Sequence, residues 1–89
     1  MKDLRIVVLH RGFVLVGFYR REGDYSFLEK ANVIRHWGTS KGLGEIAMGG
    51  PNEQTILDPE PEGEFHYCQI IRTIKCDQSK WNGYCDEGL

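Results

Sequence analysis

Arg35, His36, Trp37, Thr39, Ser40 and Lys41 stand within one short stretch, threaded by Gly38, Gly42 and Gly44. Two cations and two hydroxyls suit a phosphate. The indole offers a flat face on which a base can stack. Glycines let a ligand approach the backbone. A helix starting here would add unpaired N–H groups, which attract anions. The candidate binding residues are therefore Arg35, Trp37, Thr39, Ser40, Lys41, Gly42 and Gly44. The ligand class they suit is a phosphorylated or nucleotide-like small molecule. The same residues also serve as an ordinary corner, with Trp37 in the core, glycines in the turn and Thr39 or Ser40 as a plain helix cap.

Other chemistries find less. Gly42-x-Gly44-x-x-Ala47 matches the dinucleotide fingerprint in letters, but that motif needs a βαβ unit, and closely spaced strands precede it here. The order Ser40-Lys41-Gly42 is wrong for a phosphate loop. His66, Cys68, Cys76 and Cys85 are enough in number for zinc, yet their spacing follows no zinc pattern. No cysteine is marked as a low-pKa nucleophile beside an oriented histidine. The acids from Asp58 to Glu64 read as a solvated loop rather than an acid–base pair. The expectation is a non-enzymatic protein with no catalytic residues, no cofactor and no metal. Phe13, Phe18, Tyr19, Arg20, Arg21 and Tyr25 interleave aromatics with arginines on a hairpin. Such surfaces can stack single-stranded nucleic acid, though period-2 alternation would equally send the aromatics inward.

The elements that must position these groups are mostly strands. Leu4–Leu9, Phe13–Tyr19, Tyr25–Leu28 and Ala31–Arg35 are short, apolar and punctuated by Arg11-Gly12 and Glu22-Gly23-Asp24. That rhythm is an antiparallel meander. A short helix follows, capped by Thr39 or Ser40, with Leu43, Ile46 and Ala47 on its apolar face and Gly49-Gly50-Pro51 ending it. Gln54–Leu57 reads as a brief edge strand, 58–63 as a loop, and Glu64–Cys76 as one long strand. The expected fold is thus β-rich α+β: a small antiparallel sheet or barrel-like meander of five to six strands with one short helix. Residues 1–80 form the domain and 81–89 a loosely ordered tail, from which Trp81 and Tyr84 could fold back.

Eighty-nine residues allow a single domain. A core this small favours homo-oligomerisation. Mean hydropathy is -0.43, and the longest apolar run, Ile6–Leu9, cannot span a bilayer. No apolar leader is visible, so a cytoplasmic location with reduced thiols is expected. The net charge of -2 conceals an imbalance: residues 1–41 carry eight Lys/Arg against four acids, and residues 42–89 three against nine. The basic half suits an anionic partner and the acidic half a basic one.

Ile6-Val7-Val8-Leu9-x-Arg11-Gly12-x-Val14-x-Val16-Gly17, Arg21-Glu22-Gly23-Asp24-Tyr25, Val33-Ile34-Arg35-x-Trp37-Gly38-Thr39-x-Lys41-Gly42-Leu43-Gly44-Glu45, Gly50-Pro51 and Leu57-Asp58-Pro59 together resemble a group of small bacteriophage and prophage proteins of uncharacterised function. The likeness covers roughly residues 4–80. It implies a phage origin and action in the host bacterial cytoplasm. It implies no activity and no site residues. Small phage accessory proteins often counter host defence, either by holding a nucleotide signal or by blocking a defence protein, which makes both a nucleotide-like ligand and a host protein candidate partners.

Overall fold

The computed structural model describes residues 3–38, 42–61 and 63–81. Six strands make one antiparallel sheet: β1 (Asp3–Leu9), β2 (Val14–Glu22), β3 (Tyr25–His36), β4 (Ile56–Pro59), β5 (Gly63–His66) and β6 (Ile70–Lys75). One helix, α1 (Leu43–Gly49), lies between β3 and β4. The expected β-rich α+β sheet with one short helix is what forms. The order is β4-β3-β2-β1-β6, with β5 also on β3. β1 pairs with β2 and β2 with β3 because connections of four and two residues join them. Gly23 sits at φ +61, while Arg11 and Gly12 sit at φ 70 and 81.

The sheet must curl. Crossing from β5 to β6 takes four Cα steps, at most about 14 Å of chain. On a flat sheet those strands lie four spacings apart, about 19 Å. The crossing is contracted further into a 3₁₀ turn at Tyr67–Gln69. Only a strongly coiled sheet brings β5 that near to β6.

β3 is a single twelve-residue strand where two short ones were expected. It stays continuous through an irregularity. The β2–β3 register slips between Val16/Asn32 and Phe18/Glu29, and Lys30 adopts φ 53. This bulge adds a residue, so Leu28 and Ala31, three apart, face the same way. Gly17 is required beneath it. A Cβ there would lie 2.9 Å from the Glu29 carbonyl oxygen and 3.2 Å from the Ala31 Cα.

Two apolar clusters result, one on each face. Leu4, Ile6, Val14, Val16, Phe18 and Ile34 pack beneath α1 with Ile46, Ala47, Cys76 and Trp81. Val7, Leu28 and Ala31 pack on the other face with Leu9, Leu15, Tyr19, Phe65 and Ile70. Ser26, fully buried, is satisfied by the Tyr19 hydroxyl at 2.9 Å.

Three expectations need correction. The long strand from Glu64 to Cys76 is broken in two. His66 Nδ1 accepts from the Cys68 N–H at 3.2 Å, and the Tyr67 N–H donates to the Asp24 carbonyl. These bonds turn the chain where a ladder would have continued. Asp58 and Pro59 belong to β4 and not to a loop, because Asp58 pairs in register with Val33 and Pro59 with Asn32. Proline is tolerated at such an edge. Finally, the boundary of the compact body moves from 80 to 81, because Trp81 folds back as its sequence reading allowed. It is 0% exposed, and its indole N–H donates to the Ala47 carbonyl at 3.2 Å. The compact body therefore includes Trp81; residues 82–89 lie outside the described part.

Candidate functional site

β3 delivers the candidate stretch. It ends at His36, and Trp37 and Gly38 run on beyond the sheet. The turn at 52–55 clamps them from the side. Thr55 Oγ1 donates to the Trp37 carbonyl at 2.7 Å, and Asn52 Nδ2 to the Gly38 carbonyl at 2.6 Å. His36 Nδ1 lies 3.0 Å from the Gln54 carbonyl oxygen. The turn is itself braced, since Asn52 Oδ1 accepts from the Gln54 N–H and Thr55 Oγ1 from the Asn52 N–H. Asn52 and Thr55 suit this role because short polar side chains bond to nearby backbone.

Gly38 has φ +74, and a Cβ there would stand 2.7–2.8 Å from Gln54 and Thr55 backbone atoms and from Asn52 Oδ1. Only glycine allows the two segments this close. Beside them, Gly38, Asn52, Glu53 and Gln54 line a shallow depression that is largely open to solvent.

Trp37 is 40% exposed, so the core reading of this residue is excluded. Its edge packs over Gly42, with a virtual Gly42 Cβ 3.9 Å from the ring. Arg35 is exposed and pairs with Asp58 through Nε at 2.8 Å. Both partners are about half exposed, so the pair is weak and another anion can exchange into it. Gly42 stands at the N-cap of α1 with φ 86. The N-cap position expected for Thr39 or Ser40 is therefore taken by a glycine, because α1 begins at Leu43. Gly44 is exposed in the first turn with open space around it. Thr39, Ser40 and Lys41 lie outside the described residues. At seven residues, α1 is too short to carry an anion site on its own dipole. The structure thus brings Trp37, Gly38 and Gly42 together with Asn52–Thr55, and sets Arg35 against Asp58.

The other constellations resolve differently. Phe18 is buried in the core and Tyr19 bonds to Ser26. Arg20 lies over the Phe27 ring at 4.2 Å and pairs with Glu22. Much of the hairpin's aromatic surface is therefore already used. A cluster not foreseen forms at the hairpin tip. Tyr25 meets His66 edge-on at 5.5 Å, His66 stacks with Tyr67 at 5.2 Å, and Arg21 lies over Tyr67 at 3.9 Å. These residues are far apart in sequence, and only the Tyr25–His66 register unites them.

Among the described residues no group of three or more His, Cys, Asp or Glu is placed to hold a metal. Cys68 is exposed and Cys76 buried, and Cys85 lies outside the described residues. Burial pushes the Cys76 thiol from its usual 9.0 up to about 12, against smaller opposing effects of the Ile6 backbone and Arg5. A thiol so held is no nucleophile at neutral pH. Among the described residues no helix is long and apolar enough to cross a membrane. No family model, no curated protein and no solved structure matches the chain.

Proposed function

We propose that this chain is a non-enzymatic binding protein of phage type that holds a planar, phosphorylated or nucleotide-like molecule against Trp37. The observation that carries the reading is the indole itself: 40% exposed, with the Trp37–Gly38 backbone clamped by Thr55 and Asn52. An exposed aromatic held rigidly offers stacking with little ordering cost. Arg35, released from Asp58, would meet the phosphate; Thr39, Ser40 and Lys41, expected beside it from the sequence, lie outside the described residues. Glu53 borders the depression and would repel the anionic end of the ligand, leaving Arg35 to receive it. In the host cytoplasm such a protein would withdraw a nucleotide signal from a defence pathway, with two copies together giving a larger core than one.

Ligand that binds only the folded protein raises its melting temperature. At one hundred times Kd the gain is about 2.7 kcal/mol, roughly 10 °C or more in a domain of this size. A panel of mono-, di- and cyclic nucleotides tested by thermal shift gives at least one such response. A panel that leaves the melt unmoved removes the reading.

The second reading is a protein–protein inhibitor or adaptor of a host defence protein. The Tyr25–His66–Tyr67–Arg21 cluster favours it, because Tyr and Arg dominate interface hot spots. Single-stranded nucleic acid is the third, and its mark would be affinity that falls steeply with salt.

A further inference from the structure

Among the described residues β6 has one strand partner, β1, so its outer edge is open. The Cys76 N–H donates to the Leu4 carbonyl at 2.9 Å, and in the same register Ile74 stands opposite Ile6 and Arg72 opposite Val8. Bonded and non-bonded pairs alternate along an antiparallel ladder. Arg72, Ile74 and Cys76 therefore turn their backbone groups toward β1, and Thr73 and Lys75 turn theirs outward. Such a row is a template for another strand. Ile71, Arg72 and Lys75 are exposed along it. Ile71 is the extra residue where the register slips between the Val8–Arg72 and Leu9–Ile70 pairs, so the straight part of the open edge runs from 72 to 76.

The register also places the side chains. Thr73 and Lys75 stand opposite Val7 and Arg5, on the sheet face away from α1, and Ile74 stands opposite Ile6 on the α1 face. Arg5 reaches across to β6, where its Nη1 donates to Thr73 Oγ1 at 3.3 Å, while its Nη2 pairs with Asp3. β6 contains no acid. The Asp77 carboxylate just beyond it is turned into its own corner, accepting from the Ser79 N–H and hydroxyl. One side of the edge is thus cationic through Arg5 and Lys75, and the other presents the aliphatic Ile74. A second copy of β6, paired so that Thr73 of each met Lys75 of the other, would set Lys75 beside Arg5, cation against cation. A strand with carboxylates on the Lys75 side and aliphatic groups on the Ile74 side meets no such cost. We infer that the β6 edge takes an extended segment of a partner protein as an added antiparallel strand, its acidic side chains alternating with aliphatic ones. This edge is separate from Trp37, and its test uses no nucleotide.

The test titrates the full chain, observed by amide NMR, with an acetylated and amidated Thr-Glu-Val-Glu-Val-Thr peptide. Its Glu residues, set opposite Thr73 and Lys75, supply the bonding N–H groups. The peptide shifts the Thr73 and Lys75 amides saturably and slows their hydrogen exchange, which is fast in the free protein. The same peptide N-methylated at both Glu residues keeps its charge and binds about tenfold more weakly, and a Lys-for-Glu counterpart loses at least as much. Thr73→Pro removes an outward N–H and no β1 bond; it melts within a few degrees of the parent and loses the peptide. Absence of saturable shifts overturns the inference, as does equal binding of the N-methylated or the lysine peptide. Slow exchange at Thr73 and Lys75 in the free, dilute protein would mean that the chain covers its own edge, and slow exchange only at high protein concentration would give the edge to a second copy; either result overturns it as well.

Discussion

Replacing Trp81 by alanine should unfold most of this protein's margin of stability. The side chain is 0% exposed and belongs to the cluster that joins α1 to β1 and β2. Truncating a buried aromatic costs about 3–5 kcal/mol. The lost hydrogen bond adds little, because the Ala47 carbonyl also accepts from the Asp77 N–H at 2.9 Å and is not orphaned. A domain of this length has roughly 4–13 kcal/mol in total. At about 4–8 °C per kcal/mol the melting temperature falls by at least ~12 °C. Trp81→Phe keeps most of the volume and costs about 1–2 kcal/mol. The assay is thermal and urea unfolding followed by far-ultraviolet circular dichroism, with Trp37→Ala as an exposed control costing under about 1 kcal/mol. If Trp81→Ala melts within ~3 °C of the parent, the C-terminal segment is not part of the core and the packing described here is wrong.

Gly38→Ala should push the 52–55 turn away from Trp37 and abolish ligand binding at that face, with a stability loss of about 1–3 kcal/mol; retained affinity in the folded variant would remove the clamp from the account. Gly17→Ala meets the Glu29 carbonyl and should cost about 1–3 kcal/mol in urea unfolding, and a neutral result would argue against the bulge. The Cys76 thiol, raised to about 12 in the folded protein, holds its proton where the unfolded chain has lost it. Stability contributed by that difference is intact below about pH 9 and falls as pH climbs from 9 toward 12. Replacing Cys76 by alanine should flatten that part of the pH–stability curve. In the native protein at pH 8 a thiol reagent should modify Cys68 and spare Cys76, as mass spectrometry would report.

The meander was legible because turn residues sit between β-branched runs at short intervals: Gly23 and Arg11-Gly12 fall where the chain reverses. The end of α1 was legible for the same reason, since Gly50 at φ 83 donates to the Ile46 carbonyl. What failed were places decided by distant partners. Nothing local to Lys30 announces an αL residue inside a strand; it follows from how β3 must serve β2, β4 and β5 together. The break at His66–Gln69 depends on Asp24, more than forty residues away. Trp81 stood out by type as a residue that could fold back, but its place under α1 is set by a distant partner. At the site, Trp37 and the glycines stood out by type, whereas Asn52 and Thr55 look like ordinary loop residues until they are seen bonded to the Trp37–Gly38 backbone. The Tyr25–His66–Tyr67–Arg21 cluster had no sequence signal beyond its letters.

The most direct test of the central claim uses the two tryptophans, one exposed and one buried. A nucleotide that stacks on Trp37 should quench the intrinsic fluorescence of the parent protein with a saturable dependence on concentration, for the same compound that raises the melt. In Trp37→Phe, where only the core indole of Trp81 reports, that response should vanish while the melting temperature of the free protein stays within a few degrees. A quench of equal size in Trp37→Phe, or none in the parent across the whole nucleotide panel, would contradict the account.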